Sequence, residues 1–169
     1  MGVTMSLGLY QRARDAAGWP WISTAARIGL AIAFLWAGST KVGDLAESAR
    51  AVNAYQLMSY DAAKIVGAVQ PFLEIALGLL LLAGLAVRLG AAIGAVLMLV
   101  FIAGIASAWA RGLQIDCGCF SKGGELGAGQ VPTYGREILR DLAFLVMAGI
   151  LLVKPRTRFS MDGLLMGER

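Results

Sequence analysis

Apolar residues run along this chain in four long stretches separated by short polar segments, without the strict alternation that marks exposed strands. The stretches extend from Trp21 to Val42, Ile65 to Val87, Gly90 to Ala110 and Ile138 to Val153. A helix needs about 20 residues to cross the hydrocarbon core of a bilayer. The fourth stretch reaches that length only if its helix starts near Tyr134 and turns Arg136, Glu137, Arg140 and Asp141 onto an inward face. The link between the second and third stretches is tiny, around Arg88, so those two form an antiparallel hairpin. Between the first and second, Leu45, Val52, Tyr55 and Tyr60 recur at loosely helical spacing among polar residues. This predicts a short helix on the membrane surface within residues 45–63, either a plain connector or a cap over the bundle or a ligand entrance. There is no internal repeat, linker or low-complexity tract. The expected fold is all-α: one integral membrane domain over residues 1–169, a four-transmembrane-helix bundle with outer loops at 44–64 and 112–133.

Composition strengthens the membrane reading. The 169 residues are 58% hydrophobic before the 22 glycines are counted, with a mean hydropathy of +0.70. Soluble domains carry about 45–50% with glycine included, and a soluble fold of this size lacks the interior to hide such an excess. Disorder is excluded for the same reason. The 15 basic and 11 acidic residues leave a formal charge of +4. The basic residues flank the apolar runs, which points to membrane topology and not to nucleic acid. Arg12, Arg14, Arg88, Lys154, Arg156 and Arg158 fall on one side, which the positive-inside rule makes cytoplasmic. The other side mixes Arg50, Lys64 and Lys122 with Asp44, Glu47, Asp61 and Glu125. Both termini are thus expected in the cytoplasm of a multi-pass cell-membrane protein. A signal peptide is an alternative for the first stretch, which exceeds the usual apolar core of about 7–15 residues.

There is no histidine, which removes Ser–His and Cys–His catalysis, His-ligated haem and most zinc sites. The two cysteines, Cys117 and Cys119, lie together in the second outer loop with only Gly118 between them. Two extended residues span at most about 6.6–7.2 Å and a disulfide tolerates Cα separations of about 4.4–6.8 Å, so this pair can close. Glycine permits the sharp backbone angles of so small a ring. Disulfide stabilisation grows with the loop enclosed, so this one staples almost nothing. Its use is therefore exchange chemistry, and Cys117 and Cys119 are the candidate catalytic residues. The alternatives are a structural pair or a thiolate metal site, the latter a poor ligand set without further Cys or His. Asp116 opposes a thiolate at Cys117, whereas Lys122, Arg111 and Arg136 favour one.

Ionisable residues at membrane depth are costly and usually paired or functional. Glu74 follows Pro71 inside the second stretch, and the fourth opens Arg136-Glu137-Ile138-Leu139-Arg140-Asp141. Arg136 and Arg140 are four residues apart, as are Glu137 and Asp141, and both sets can neutralise each other or reach Glu74 and Lys41. One reading is an ion-pair network that orders the helices. The other is a polar pocket in which Lys41, Glu74, Glu137, Arg140 and Asp141 hold a quinone head group and handle its protons. The two are compatible. Arg27 is expected to snorkel to the interface, and Trp19, Trp21 and Trp109 suit the interfacial belt, while Trp36 has no assigned role. Gly78 with Gly84, and Gly90 with Gly94, read as close helix packing.

Several segments resemble the MauE/DoxX family of four-span membrane proteins, in particular its MauE branch. They are Ala37-Gly38-Ser39-Thr40-Lys41, Ala51-Val52-Asn53-Ala54-Tyr55, Pro71-Phe72-Leu73-Glu74 with Leu77-Gly78-Leu79-Leu80, Asp116-Cys117-Gly118-Cys119-Phe120, and Glu137-Ile138-Leu139-Arg140-Asp141. Ser121 departs from the glycine expected after the Phe. The resemblance implies a redox-associated membrane protein that works beside an exported thioredoxin-like or DsbA-like partner. The layout is also similar to the quinone-linked oxidases DsbB and vitamin K epoxide reductase, except that this chain has one cysteine pair and no shuttle pair. The expected function is a membrane thiol–disulfide oxidoreductase coupled to a quinone, alone or within a larger membrane complex. The alternative is a non-catalytic scaffold that docks an exported redox or metal-handling protein.

Overall fold

The computed structural model describes residues 2–162 except 122, 128 and 156, with side chains from residue 18 onward. Among the described residues five helices follow one another: α1 (Gly2–Val42), α2 (Leu45–Ala54), α3 (Tyr60–Ala83), α4 (Val87–Ala110) and α5 (Tyr134–Val153). Two short strands, β1 (Ile115–Asp116) and β2 (Gly124–Glu125), lie between α4 and α5. Residues 18–42 of α1, all of α3 and all of α4 are long and apolar enough to cross a membrane. Helix α5 starts at Tyr134, where the sequence placed its start, and carries Arg136, Glu137, Arg140 and Asp141 in its first two turns; it is not among the helices that meet that requirement of length and apolarity.

Helix α1 packs on α3 and α5, α4 packs on α5 and more lightly on α3, and α2 lies against α3 and β2. The main core gathers Leu30, Phe34, Leu77, Leu81, Met98 and Leu151. Close approach of α1 and α3 depends on small residues: a Cβ on Gly38 would meet the Pro71 carbonyl oxygen at 2.7 Å, and one on Gly78 the Leu35 side chain at 2.6 Å. A second cluster of Ala54, Ile105, Ala108, Ile115 and Tyr134 seats the loop after α4.

Four sequence expectations change. The hairpin link is residues 84–86, and Arg88 lies in the first turn of α4. Gly84 is a point of close approach, but to the Ser160 backbone and not to a helix, since a Cβ there would meet the Ser160 Cα at 2.7 Å; it ends α3 in the left-handed conformation with φ +69°. The Leu85 amide then donates to the Leu80 carbonyl (3.0 Å) and the Gly84 amide to the Leu81 carbonyl (3.1 Å), which completes a Schellman motif. The Asp162 carboxylate accepts from the amides of Ala86 (2.9 Å) and Val87 (3.0 Å) and so caps α4 from the far end of the chain. Arg27 does not snorkel. It is 2% exposed and donates to the Leu81 and Leu82 carbonyls at 2.7 and 2.9 Å and to those of Arg158 and Phe159 at 3.2 Å. The terminal carbonyls of an apolar helix need donors where water is scarce, and this cation supplies them. Finally, the all-α expectation missed the hairpin, in which Ile115 pairs with Glu125 and Asp116 with Gly124.

Candidate functional site: a cysteine loop between two cavities

Strand β1 delivers the chain directly into Cys117 and is held from both sides. Tyr134 of α5 donates its hydroxyl proton to the Leu113 carbonyl (2.6 Å) and accepts from the Ile115 amide (3.2 Å). Tyr55, just past α2, donates to the Cys117 carbonyl at 2.9 Å. Burial pushes the Tyr55 hydroxyl well above the usual tyrosine range, with the nearby cysteines adding to the shift, so it remains a donor. The helix expected on the membrane surface is therefore more than a connector, because its C-terminal end fixes the cysteine loop.

Inside the loop, Asp116 Oδ1 accepts from the Gly118 amide (2.9 Å) and the Ser121 hydroxyl (2.8 Å). The departure at Ser121 thus contributes a bond to the turn. Gly118 has φ +70°, and a Cβ there would meet the Gly123 Cα at 3.0 Å. Gly118→Ala is expected to destabilise the loop by about 1–2 kcal/mol from the left-handed backbone alone, with the contact to Gly123 adding to it. Thermal unfolding in detergent reads the loss, and the rate of Cys117 alkylation reads the displaced thiol.

Both cysteines are free thiols in this structure, Cys117 half-buried and Cys119 only 7% exposed. They differ electrostatically. A hydrogen bond from the Cys119 side chain, the Cys119 amide at 3.5 Å and Arg140 Nη2 at 3.8 Å hold Cys117 below the usual thiol range against its burial. The shared hydrogen bond with Cys117, burial, and the charges of Cys117 and Asp141 push Cys119 well above it. The pair is thus a nucleophile and a proton-holding partner. Arg140 is the cation that reaches Cys117. Arg111 donates instead to the Tyr55 and Gln56 carbonyls, Arg136 lines a cleft beside the loop, and Lys122 lies outside the described residues.

The other candidates do not converge on one pocket. Lys41 donates to both carboxylate oxygens of Glu74 at 2.9 and 3.0 Å in a buried pair, and Gln70 donates to the same carboxylate at 3.1 Å. Arg140 pairs with its neighbour Asp141 at 2.8 Å and stacks over the Phe120 ring at 4.6 Å. Glu137 accepts from the Thr133 hydroxyl at 3.1 Å. Trp36, without a role in the sequence, meets Phe120 edge-on with ring centres 6.4 Å apart, so α1 helps to hold the residue after Cys119. Potential ligand atoms of Asp116, Cys117 and Glu137 lie within 4.8 Å of one another, but two carboxylates with one thiolate are a mixed hard and soft set that suits no common metal well.

Three spaces surround the cysteines. An open polar cleft of about 400 Å³ is lined by Asp116, Cys117, Ser121, Arg136, Glu137 and Arg140. A mainly apolar cavity of about 140 Å³ on the opposite side is bordered by Cys117, Gly118, Cys119, Tyr55, Phe101 and Lys41. A very small apolar gap beneath them touches Cys119, Glu74 and Asp141. Cys117 borders the first two, whereas Cys119 borders the apolar cavity and the small gap but not the polar cleft.

Apolar crossing helices that carry one asymmetric thiol pair on an ordered loop define a multi-pass membrane protein with a dithiol site. The family model of methylamine utilisation protein MauE matches residues 19–154, and the chain belongs to the MauE family. It is 32% identical over 138 residues to the methylamine utilization protein MauE of Paracoccus denitrificans, covering 80% of this chain and 74% of that one. No solved structure matches.

Proposed function

We propose that this protein is a membrane thiol–disulfide oxidoreductase that takes electrons from an exported thioredoxin-like or DsbA-like dithiol and passes them to a membrane quinone. In this reading α5 is a fourth crossing, both termini are cytoplasmic and the cysteine loop faces the extracytoplasmic side. The name of the Paracoccus relative extends the proposal to service in methylamine utilisation. The observation that carries it is the position of Cys117 between the open polar cleft and the apolar cavity.

The exchange begins with the Cys117–Cys119 pair oxidised. A partner thiolate enters the cleft and attacks Cys117 Sγ. The Cys117–Cys119 bond breaks, a mixed disulfide forms, and Cys119 sulfur leaves and takes up a proton. Because Cys119 holds its proton strongly, it does not attack back. The partner's second thiolate then attacks the partner's own sulfur in the mixed disulfide. Its disulfide closes and Cys117 leaves as a thiolate, stabilised by Cys119 and Arg140. Two electrons have moved from the partner to the pair.

The test uses single-cysteine variants with a thioredoxin whose second active-site cysteine is replaced by serine and whose remaining cysteine is activated as a mixed disulfide with thionitrobenzoate. Cys119→Ser is expected to accumulate a covalent adduct through Cys117, since no second thiol remains on either protein to resolve it. Cys117→Ser is expected to form none, because Cys119 is buried. Adducts through Cys119 alone, or none with either variant, would overturn the assignment.

A further inference from the structure

We infer that the apolar cavity between α2, α3 and α4 is a binding site for the ring of a single-ring quinone, entered from the bilayer, with Lys41 as the donor to one ring carbonyl. This deepens the proposed function by naming the acceptor class and its seat, and it moves that seat away from the charges of α5. Three features carry it. First, the cavity, about 140 Å³, is close to the volume of about 150 Å³ at which an apolar protein cavity takes up benzene. It accommodates one six-membered ring, whereas a fused two-ring quinone needs the walls to part.

Second, the cavity's rim includes Leu57, Met58, Val66 and Val100, all of them exposed on the outside of the bundle. A ligand with an isoprenoid tail can therefore place its ring inside and leave its tail among lipid chains. The polar cleft offers no such rim of exposed aliphatic side chains; its lining sets Arg136, Glu137 and Arg140 of α5 against Asp116, Cys117, Phe120 and Ser121 of the loop. Third, the chemistry on the walls is complementary. Both cysteines border the cavity, and so does Lys41. An ammonium has three donors, and Lys41 gives two to Glu74, which leaves one for a carbonyl oxygen. Electrons leaving a dithiol beside a cavity with an exposed apolar rim need an acceptor that takes two electrons and two protons and dissolves in the bilayer. Quinones are the chemical class that meets all three requirements.

The step balances on this chain's own groups and one proton from solvent. Cys117 enters as a thiolate and Cys119 as a thiol. The Cys117–Cys119 bond forms as the pair gives up two electrons and the Cys119 S–H bond breaks. Cys119 supplies one proton and the reduced ring takes up the second from solvent, while Lys41 keeps its own and donates a hydrogen bond to the ring oxygen. The quinone leaves as the hydroquinone.

The experiment uses the full chain in lipid nanodiscs. Decylubiquinone is expected to reoxidise the reduced pair. On the oxidised protein, decylplastoquinone, with one small ring, is expected to bind at least ten-fold more tightly than a naphthoquinone with the same decyl tail, a comparison in which their different potentials play no part. A photoreactive azido-benzoquinone added to the oxidised protein, where no turnover occurs, is expected to label the peptide that contains residues 100–104. Gly104→Leu, which fills the cavity beside the Tyr55 ring, is expected to reduce both labelling and rate at least ten-fold. Val100→Trp at the mouth provides a second variant if the first fails to fold. Equal affinities for the two ring types would overturn the ring class. Labelling that stays on α5, or that neither variant lowers, would overturn the site. Reduction of the pair by a dithiol partner is measured in the same preparation. If that exchange proceeds while no quinone reoxidises the pair, the cavity inference fails and the exchange reaction stands.

Discussion

Cys117→Ser is expected to lower disulfide exchange with a thioredoxin-like dithiol by at least about a thousandfold, the scale seen when a covalent nucleophile is removed. The helical content should stay unchanged, since the pair encloses too small a ring to hold the fold. The pH dependence of Cys117 alkylation in the wild-type protein gives an independent reading of the same thiol. Its thiolate is favoured by Cys119 and Arg140. The rate should therefore rise with pH and level off below the ordinary thiol value of about 8.5. Arg140→Met removes one of the donors to Cys117 and is expected to move that inflection upward. A profile that levels off at or above the ordinary value would contradict the assignment of Cys117 as the nucleophile.

Glu74→Ala is expected to have the largest effect on stability. Lys41 and Glu74 are both buried, with side chains 8% and 1% exposed, and α1 and α3 meet through them. Removing one partner of a buried pair leaves an uncompensated charge and costs about 3–5 kcal/mol, whereas replacing both by apolar residues of similar size is close to neutral. The double variant Lys41→Met with Glu74→Leu should therefore recover most of the unfolding midpoint that Glu74→Ala loses. It should also separate two roles. The refolded double variant keeps the bundle but lacks the donor at the cavity wall, so its reoxidation by decylubiquinone should slow while its exchange with the dithiol continues. Equal midpoints for Glu74→Ala and wild type would show that the pair does not hold α1 to α3.

The crossing helices and the cysteine pair were legible in the sequence because their signals are local. Long apolar runs mark α1, α3 and α4 whatever they pack against, and α5 starts at Tyr134, the position expected from the sequence. Pairings between distant segments were not legible. Nothing near Arg27 in the chain announces that its guanidinium serves the end of α3, more than fifty residues away. Nor does Asp162 announce that it caps α4. The β1–β2 hairpin is too short, at two residues per strand, to show a period of two. Among the charges, the sequence offered neutralisation between the two sets at the start of α5, or contact from there to Glu74 and Lys41. The structure pairs Arg140 with Asp141 within α5 and, across two helices, Lys41 with Glu74. The asymmetry of the two thiols depends on Arg140, on burial and on the turn at Gly118, which only the folded loop assembles. Trp36 belongs to the same class: its contact with Phe120 joins α1 to a loop some eighty residues later.

The central claim is that Cys117 and Cys119 cycle between dithiol and disulfide in step with the membrane quinone pool. The most direct measurement is their thiol state in native membranes, fixed by acid quench and read by maleimide mass tagging, with the pool oxidised in air and then reduced. The pair is expected to be oxidised in air and to become reduced with the pool. A pair locked in one state under both conditions would contradict the account and leave the cysteines as parts of a docking loop.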